Sequence, residues 1–365
     1  MTVNGHLNWV EIDLGAIGSN TKNLHLVTGR PVMVVVKGNA YGHGMVEAAR
    51  AAEQAGAEWC AVARMEEALV LRQARVNMRI LVLGYTAPSD IPQAIANDLR
   101  LSVFDRSTAE AYAEQARASG GKLRLHLKID TGMGRLGIFP EEAIELIRSM
   151  MDQSCLEMEG IFTHLARAGE GHTESVQAQL QRFDALLATL SASGLRPPLA
   201  HAANSAAALY FPQARYDLTR CGIAAYGLPP IPDKPLPAGF RPALTWKARL
   251  ISLKTLPAGH GVSFGHRYTT QGVERVGVVA TGYADGFRRS ANNRVVLRGK
   301  CVPVIGAVCM DQCMVQLDEV PDAQVGDEVV IIGATLSALD VASAWGTIPY
   351  DVICGLAHRV TRIYV

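Results

Sequence analysis

Short apolar runs alternate with helically spaced stretches along the first two thirds of the chain. The helical stretches include MVEAARAAEQAG after residue 44 and TESVQAQLQRFDALLATLSASG after residue 172. Repeated strand-then-helix units predict parallel strands with crossover helices. Eight such units fit most simply into one closed sheet, a (β/α)8 barrel. An open doubly wound sheet is the alternative, although no G-x-G-x-x-G follows a strand. The apolar runs lie at residues 31–36, 59–63, 79–83, 99–104, 123–129, 157–163, 199–203 and 216–221.

The pattern changes at a proline-rich segment, PPIPDKPLPAGFRP, which spans residues 229–242. Its six prolines exclude a helix or a central strand, so we interpret the segment as a connector between domains. Beyond it, short alternating runs separated by turns predict a mostly β domain. The sequence therefore predicts two domains, residues 1–238 and residues 239–365. The runs of the second domain lie at residues 246–254, 275–281, 294–297, 302–317 and 327–332.

Composition narrows the classes of protein that remain. The chain has 365 residues, of which 49% are hydrophobic and 19% charged, and its formal net charge is +1. These values exclude a disordered or coiled-coil chain, and no basic field favours nucleic acid or an anionic membrane as a partner. The first 16 residues contain no apolar signal-peptide core and no later run has the length of a membrane span, so we expect a cytoplasmic protein. Seven cysteines without a C-x-x-C pair predict reduced thiols and no metal site.

Candidate reactive residues follow the apolar runs, where the loops at the carboxyl end of a barrel begin. Lys37 directly follows five hydrophobic residues. Partial desolvation there would favour a neutral, imine-forming amine, and the alternative is a lysine whose ammonium extends into solvent. Ser205 and the amides of Gly222 and Ile223 follow the last two strands, the usual phosphate site of this fold, although ordinary loop chemistry uses the same residue types. An imine-forming lysine and a phosphate site on one rim favour pyridoxal 5′-phosphate (PLP) as a cofactor.

Seven segments form an ordered motif series along the chain. They are VVVKGNAYGHG from residue 34, KIDTGMGRLG from 128, FTHLA from 162, ANSAA from 203, TRCGIAAYGL from 219, GYADG from 282 and AVCMDQCMV from 307. The series resembles that of bacterial alanine racemases over essentially the whole chain. The resemblance implies a PLP enzyme with an N-terminal (β/α)8 TIM-like barrel and a C-terminal mostly β domain, which a first strand near residues 7–13 would join. It also implies a head-to-tail homodimer with shared active sites that supplies D-alanine for cell-wall precursors.

The resemblance implies a role for each motif position. Lys37 would bind PLP through an imine and move the α-proton on the D-alanine side, with His164 close to the reacting groups. Arg220 would face the pyridine nitrogen, and because arginine keeps its proton the cofactor would favour reprotonation over transamination. Arg135 would bind the phenolate oxygen of PLP. The phosphate would be held by Tyr41, Ser205, Gly222, Ile223 and Tyr350, with Asn204 beside them, and substrate would contact Arg135, Met310, Tyr283 and Asp311.

Most of these residues also have an alternative interpretation as parts of the fold. His164 fits equally a core histidine bonded to backbone, Arg135 a surface ion-pair partner, and Tyr41 and Tyr350 packing at the rim. Lys128 matches a lysine that is carbamylated in some family members, and an ordinary strand lysine is the alternative.

One position departs from the family pattern. Where the family has its second base, a tyrosine in an S-Y-G motif, this chain reads VSFGHRYTT and places Phe264. Racemisation needs a base on each face of a planar carbanion, and Lys37 serves one face, so we expect impaired racemisation with PLP binding intact. The chain would be an engineered variant, a natural enzyme that uses Tyr268 or water instead, or an enzyme of one-sided chemistry. In an extended strand Tyr268 would share a face with Phe264, about 13 Å further along.

Other function classes stay open on these residues. One-sided chemistry would be α-proton exchange, slow transamination, retro-aldol cleavage or decarboxylation of amino acids, none of which needs a second base. A non-enzymatic PLP-carrier protein shares the barrel but ends near the proline-rich connector. Residues 243–365, which follow that connector, favour the enzyme over the carrier.

Overall fold

The computed structural model of the chain describes residues 5–365, which divide into two compact units. The barrel unit comprises Ala16–Ala40 and Met45–Arg241, and the β unit comprises the described residues up to Gly15, Tyr41–Gly44 and Pro242–Val365. Each unit is built from separate stretches of sequence, so their bounds do not test a single division of the chain after residue 238. That division stays a prediction. Residues 1–4, on which part of our expectation for the first 16 residues rests, lie outside the described residues.

Strands and helices alternate through the barrel unit, and strands dominate the β unit. The strands are β1 (Asn8–Ile12), β2 (Val32–Val35), β3 (Trp59–Val62), β4 (Arg79–Val82), β5 (Leu99–Val103), β6 (Leu123–Lys128), β7 (Leu156–Phe162), β8 (Leu199–His201), β9 (Thr219–Cys221), β10 (Leu244–Leu256), β11 (Gly261–Val262), β12 (Tyr268–Thr269), β13 (Glu274–Val279), β14 (Arg294–Leu297), β15 (Lys300–Ile305), β16 (Cys313–Gln316), β17 (Glu328–Ile332) and β18 (Thr361–Tyr364). The helices are α1 (Leu14–Thr28), the short turn α2 (Lys37–Tyr41), α3 (Met45–Gln54), α4 (Met65–Gln73), α5 (Ile91–Ala96), α6 (Arg106–Ala118), α7 (Pro140–Met151), α8 (Thr173–Ala192), α9 (Ser205–Tyr210), α10 (Ala338–Trp345) and α11 (Pro349–Cys354).

The eight strands β2 to β9 form one parallel sheet, which confirms the predicted fold class. Their order is β8-β7-β6-β5-β4-β3-β2-β9, so consecutive strands are neighbours and β9 returns to pair with β2. The ring closes between β8 and β9, where the amide of Arg220 donates to the carbonyl of Ala203 at 3.0 Å. This order rules out the doubly wound alternative, in which the first strand would lie inside the sheet.

Burial on both faces explains why the barrel strands read as continuous apolar runs. Every residue of β2, β3 and β5 is buried. Helices cover the outside, and their starts follow ordinary capping chemistry. The Asp105 side chain, for example, accepts the amide of Thr108 at 2.7 Å and so caps α6. The loops at the carboxyl ends of the strands are therefore held on a rigid scaffold.

The long strand β10 organises the sheet of the β unit. Its first half pairs with β1 and β17 and its second half with β13, with an irregularity between Leu250 and Ser252. The sheet runs from β13 through β16, β15, β14 and β17 back to β10, so these strands form a closed ring. Strand β1 lies between β10 and β18, antiparallel to the first and parallel to the second.

One sequence-based expectation for the β unit needs correction, and two of its helices were not predicted. The alternating run at residues 302–317 is two strands, β15 and β16, because Gly306 adopts a φ of +69° that ends the first strand and starts a loop. The helices α10 and α11 were not predicted, because eight and six residues are too short for a clear helical period.

The described part of the chain contains neither a helix that could span a membrane nor a cluster of metal ligands. Among residues 5–365, no helix combines the length and the apolar character needed to cross a membrane. The same residues contain no group of three or more His, Cys, Asp or Glu side chains suited to a metal ion.

Aromatic packing is a main contributor to the core of the β unit. Phe287 is 1% exposed and packs edge-on against Trp246 and Trp345, with ring centroids 6.0 and 6.1 Å away. Trp246 is fully buried, and its indole N–H donates to Asn8 of β1 at 2.7 Å. The cluster therefore ties β10 to β1 as well as filling the core.

We expect Phe287→Ala to destabilise the β unit by about 3 to 5 kcal/mol, because it removes buried contacts and leaves a cavity. Urea unfolding followed by circular dichroism measures the loss as a lower midpoint. Val273→Ala is the control, since that side chain is 74% exposed and its truncation should change stability by less than about 0.5 kcal/mol. Equal midpoints for the two variants would contradict the role of this packing.

Candidate active site

The loop after β2 presents Lys37 at the carboxyl end of the barrel strands. In α2, Gly38, Asn39 and Ala40 have left-handed φ and ψ angles, with φ of 62°, 54° and 53°. Left-handed backbone at non-glycine residues costs free energy and persists only where surrounding contacts fix it. The turn that carries the lysine is therefore held in one strained conformation.

Glu67 of α4 binds this turn and a neighbouring loop with its two carboxylate oxygens. Its Oε1 accepts the amide of Gly38 at 2.7 Å, and its Oε2 accepts the amide of Ala63 at 2.7 Å. One carboxylate therefore joins the loop after β2 to the loop after β3. On the other side of the turn, the Asn39 side chain accepts the amide of Met45 at 2.9 Å and so anchors the start of α3.

Arg220 of β9 lies buried in the barrel interior and is bound mostly by backbone carbonyls. Its Nη1 donates to Nδ1 of His201 at 2.7 Å and to the carbonyl of the same residue at 3.1 Å. Its Nη2 donates to the carbonyls of Thr163 and Ala202 at 2.8 and 3.0 Å and approaches Nδ1 of His164 at 3.4 Å. Within residues 5–365 its Nε–H has no acceptor, so one donor of the guanidinium remains available to a ligand.

The guanidinium of Arg220 and its partners pack on Phe162. The guanidinium carbon lies 5.2 Å from the ring centroid, and the His201 ring stacks on the same phenyl at 4.9 Å with an interplanar angle of 5°. Burial lowers the pKa of Arg220 to about 10, so the group still carries its charge at neutral pH.

Positive charge accumulates around Arg220. Burial lowers the pKa of Lys128 to about 8, and the positive charges of Arg135 and Arg220 contribute to the shift. The pKa of His164 is lowered well below its ordinary value, first by burial and then by the charge of Arg220, so this imidazole is neutral at pH 7. Asp130 is the acid that acts on Lys128 in the opposite direction. The excess of cations over acids suits an anionic ligand.

Asp130 shapes the loop after β6 that carries Arg135. Its carboxylate accepts the amides of Gly132, Met133 and Gly134 at 2.8 to 2.9 Å, and these bonds lower its pKa even though burial opposes them. Much of the negative charge of Asp130 is therefore committed to backbone donors, and Arg135 is exposed at the rim.

Ser205 forms a small donor site at the start of α9. Its hydroxyl oxygen accepts the amide of Gly222 at 3.0 Å and that of Ala224 at 3.4 Å. The neighbouring Asn204 caps α9 by accepting the amide of Ala207 at 3.0 Å. The amide of Ile223 starts the next helical turn in the same place. A hydroxyl and main-chain amides in this arrangement are typical of phosphate sites.

The β unit carries the other predicted site residues. The rings of Tyr41 and Tyr350 lie with their centroids 5.9 Å apart. Between Tyr41 and His43 the chain passes very close to α11, since a Cβ on Gly42 would lie 2.2 Å from the carbonyl oxygen of Ile353. The absence of a side chain at residue 42 therefore allows the two tyrosines to be neighbours.

A second group in the β unit contains Tyr283, Met310 and Asp311. The amide of Tyr283 donates to the carbonyl of Cys309 at 3.0 Å, which docks the GYADG turn onto the loop between β15 and β16. Arg359 donates to Asp285 at 2.6 Å and to Asp311 at 2.8 Å and so joins the two segments again. Tyr283 and Met310 are 45% and 53% exposed, as residues that contact a small substrate require.

Phe264 lies in a short helical turn between β11 and β12 and is 75% exposed. The segment is therefore not the extended strand in which Tyr268 would share a face with Phe264. Ser263 precedes it with a φ of +64°, and its hydroxyl donates to the carbonyl of Ala307 at 2.7 Å. The Tyr268 hydroxyl donates to Glu274 at 2.7 Å, and burial together with that carboxylate raises its pKa to about 12. Tyr268 is therefore a poor substitute base.

The predicted residues fall into two groups. The barrel unit brings together Lys37, Arg135, His164, Asn204, Ser205, Arg220, Gly222 and Ile223 at the carboxyl ends of its strands, and the β unit holds Tyr41, Phe264, Tyr283, Met310, Asp311 and Tyr350. Sequence reasoning missed Glu67, Phe162, His201 and Arg359, which contact these residues. The signal for His201 was present, since a histidine inside an apolar barrel strand needs a buried polar partner.

In closed parallel barrels the active sites of enzymes lie at the loops after the strands, and here those loops and strand ends place a lysine and a buried arginine where they suit a small anionic ligand. Residues 12–230 match the family described as alanine racemase, N-terminal domain, and residues 243–364 match the alanine racemase C-terminal domain. The chain belongs to the alanine racemase family.

Individual relatives show the same likeness over the whole chain. The alanine racemase of Symbiobacterium thermophilum is 44% identical over 363 residues, which cover 98% of this chain and 96% of that protein. The structure of an alanine racemase from Clostridium difficile 630 is 35% identical with a TM-score of 0.95 and covers 99% of this chain and 96% of its own. The alanine racemase structure from the D-cycloserine producer Streptomyces lavendulae is 39% identical with a TM-score of 0.95, covering 99% and 98%.

The crowding of cations predicts a pH-dependent stability. Folding lowers the pKa of Lys128 from its ordinary 10.5 to about 8, so its charge destabilises the ligand-free fold below pH 8, and this penalty disappears as the pH rises towards 10.5. We expect Lys128→Met to be more stable than the parent chain at pH 7, by about 1 to 3 kcal/mol, with a smaller difference at pH 10. Urea midpoints at the two pH values measure this.

Lys122→Met is the matched control, because Lys122 is an exposed lysine beside the same strand. It should change stability little and equally at both pH values. A Lys128→Met chain that is less stable than the parent at pH 7 would contradict the destabilising charge.

Proposed function

We propose that this chain interconverts L-alanine and D-alanine with PLP as its cofactor. Family membership supports the reaction, and the single observation that carries the cofactor is the cationic end of the barrel, where Lys37, Arg220 and the Ser205 site lie together. We also propose that the enzyme is a cytoplasmic homodimer with shared active sites. The family resemblance, rather than a contact in this structure, supports the dimer.

The donor set fits PLP group by group. A phosphate requires donors such as the Ser205 hydroxyl and the amide of Ile223, and the amide of Gly222 would join them by giving up its bond to Ser205. The family resemblance adds the hydroxyls of Tyr41 and Tyr350. A pyridine nitrogen requires one N–H, and the Nε–H of Arg220 has no acceptor within the described part of the chain. A phenolate requires a cation, for which we assign Arg135. Asn204 supports the site as the cap of α9.

When bound, PLP supplies an electron sink that stabilises negative charge at the α-carbon of the amino acid. Lys37 would hold the cofactor covalently and move a proton to and from that carbon through its Nζ. Arg220 donates without giving up its proton, because even a pKa of about 10 leaves it charged at neutral pH. Its role is to limit how much charge the ring takes up, which favours return of the proton to carbon.

His164 fits a neutral hydrogen-bonding role. Because its pKa is well below the ordinary value, it adds no further positive charge beside Arg220. Its Nδ1 faces an Arg220 donor at 3.4 Å, which leaves its proton on Nε2. We assign Met310, Tyr283 and Asp311 to the substrate side, since two of these side chains are exposed and Arg359 fixes the third.

Lys128 fits the carbamylated lysine of some family members. Reaction with carbon dioxide requires a neutral amine, and a pKa of about 8 gives Lys128 a substantial neutral fraction near pH 7.5. A carbamate there would replace a positive charge by a negative one beside Arg135. We propose this modification as a means of relieving the repulsion between the two groups.

Phe264 limits the reaction to one efficient face. A phenyl side chain has no proton to exchange, and Tyr268 is bound to Glu274. Loss of one general acid/base typically costs about 10² to 10⁴ in rate, or roughly 3 to 5 kcal/mol in the barrier. This observation favours a second candidate function, one-sided α-proton exchange with its related transamination, retro-aldol or decarboxylation reactions. A PLP carrier is the less favoured alternative, because the chain also contains the β unit.

Covalent trapping tests the cofactor assignment. We expect borohydride treatment of the protein with PLP to place the reduced cofactor on Lys37, as measured by peptide mass spectrometry. Lys37→Ala should lose the label, and Lys128→Met should keep it. A label on another lysine, or none with excess PLP, would overturn the assignment.

Hydrogen exchange tests the role of Phe264. In D₂O, we expect D-alanine to exchange its α-hydrogen faster than it inverts, because Lys37 shares its protons with solvent and the opposite face lacks a base. Phe264→Tyr should raise inversion by about 10² to 10⁴, equally in both directions in kcat/KM, because the enantiomers have equal free energy.

Tyr268→Phe is the control and should leave both rates unchanged. Nuclear magnetic resonance follows exchange, and chiral chromatography follows inversion. Equal exchange and inversion rates in the parent chain would show that a second base is already present, and no gain in Phe264→Tyr would argue against a disabled racemase.

A further inference from the structure

A chain of buried side chains runs through the barrel from Arg220 to Glu159. Arg220 Nη1 lies 2.7 Å from Nδ1 of His201, and Nε2 of His201 lies 2.8 Å from Nδ1 of His126. Nε2 of His126 lies 3.2 Å from Oε2 of Glu159. Strands β9, β8, β6 and β7 each contribute one residue, so the chain crosses the interior rather than following one strand.

The direction of every bond in this chain follows from its first member. Arginine can only donate, so Nδ1 of His201 accepts and its proton lies on Nε2. That proton is donated to Nδ1 of His126, whose own proton must then lie on Nε2 and be donated to Glu159. A carboxylate at the far end is the acceptor that this direction requires.

The far end of the chain is itself anchored. The same Oε2 of Glu159 accepts Nε of Arg100 at 3.1 Å, and Arg100 in turn donates to the carboxylate of Asp98 at 2.7 Å. The His126 ring packs edge-on against Trp59 with centroids 5.7 Å apart. These contacts hold the carboxylate and the imidazole in a single arrangement.

Gly160 provides the space for this arrangement. A Cβ at residue 160 would lie 2.4 Å from Nδ1 of His126, closer than any real contact allows. The pair Glu159 and Gly160 therefore supplies the acceptor for one ring nitrogen of His126 and clears the approach to the other.

The charge states agree with this direction. Burial lowers the pKa of His126, and burial together with the charge of Arg220 lowers that of His201 well below its ordinary value. Burial opposes ionisation of Glu159, but its bonds to His126 and its proximity to Arg100 lower its pKa overall. At neutral pH the chain therefore joins a cation at one end to an anion at the other through two neutral imidazoles.

We propose that Glu159 and His126 are positioning residues of the active site: they accept the donor direction that Arg220 imposes, keep Nδ1 of His201 unprotonated and thereby hold the Arg220 guanidinium in its orientation. With Nη1 and Nη2 committed to His201 and to backbone carbonyls, the Nε–H is the donor left for a ligand. Glu159 is also the counter-charge of Arg220 on the side away from that ligand. The consequence for catalysis rests on the proposed function, whereas the bond directions do not.

The parent protein tests the proposal without any substitution. Side-chain ¹⁵N resonances of the full-length protein with PLP, assigned with His126→Asn and His201→Asn, should show both histidines protonated at Nε2 and unprotonated at Nδ1 at pH 7. A proton on Nδ1 of either residue would overturn the proposal, whether or not the protein is an active racemase.

Glu159→Gln tests the role of the carboxylate. A carboxamide can also turn an N–H towards Nε2 of His126, and such a donor opposes the direction that Arg220 imposes, so we expect mixed protonation at the two histidines. The exchange of the α-hydrogen of D-alanine should fall about 10- to 100-fold in kcat with KM changed less than twofold, because Glu159 does not contact the substrate.

Glu157→Gln is the matched control, since Glu157 lies on the same strand and pairs with Lys122 and Arg124 rather than with the imidazoles. It should leave the resonances and kcat unchanged. If Glu159→Gln keeps the parent protonation pattern and its kcat, the carboxylate is only a structural partner and the proposal fails. If the variant does not fold, the measurement on the parent protein decides.

Discussion

The buried guanidinium of Arg220 is the constraint on which the barrel interior depends. A permanent charge inside a protein costs several kcal/mol unless hydrogen bonds and opposite charge compensate it. Backbone carbonyls at the ends of β7 and β8 supply most of the acceptors for its N–H groups. The strands that close the barrel therefore also hold this residue of the site. His201 stacks on the phenyl ring over which this cation lies, and burial, together with the charge of Arg220, lowers the pKa values of His164 and Lys128.

Most of the barrel could be predicted because each of its strands is marked by one short apolar run in the sequence. A parallel strand that is buried on both faces must be apolar along its length, and the eight predicted runs correspond to β2 to β9. The β unit is less predictable because its pairing is not local. Strand β10 changes partners along its length. In the run at residues 302–317 the hydrophobic pattern continues past Gly306, and only the glycine itself hints at the turn that its positive φ makes there.

The candidate site residues could be chosen from the sequence, whereas the residues that hold them in place could not. Motif positions such as Lys37 and Ser205 stand where strands end, and a sequence displays them. Gly38 and Asn39 are residue types that tolerate a positive φ, but nothing in the sequence indicates that the left-handed turn continues through Ala40. Glu67, which holds that turn, lies 29 positions away from Gly38, and spacing alone gives no reason to pair the two.

The position of β1 also sets the order in which the two units can be completed during synthesis. Trp9 pairs with Lys247 of β10 on one side and with Thr361 of β18 on the other. The last barrel strand ends at Cys221, so the barrel unit can close while the ribosome is still far from β18. At roughly 5 to 20 residues per second, β1 waits about 20 to 70 s for its last partner. Throughout that interval the edge of β1 that faces β18 stays unpaired, and the nascent chain must keep it from joining another molecule.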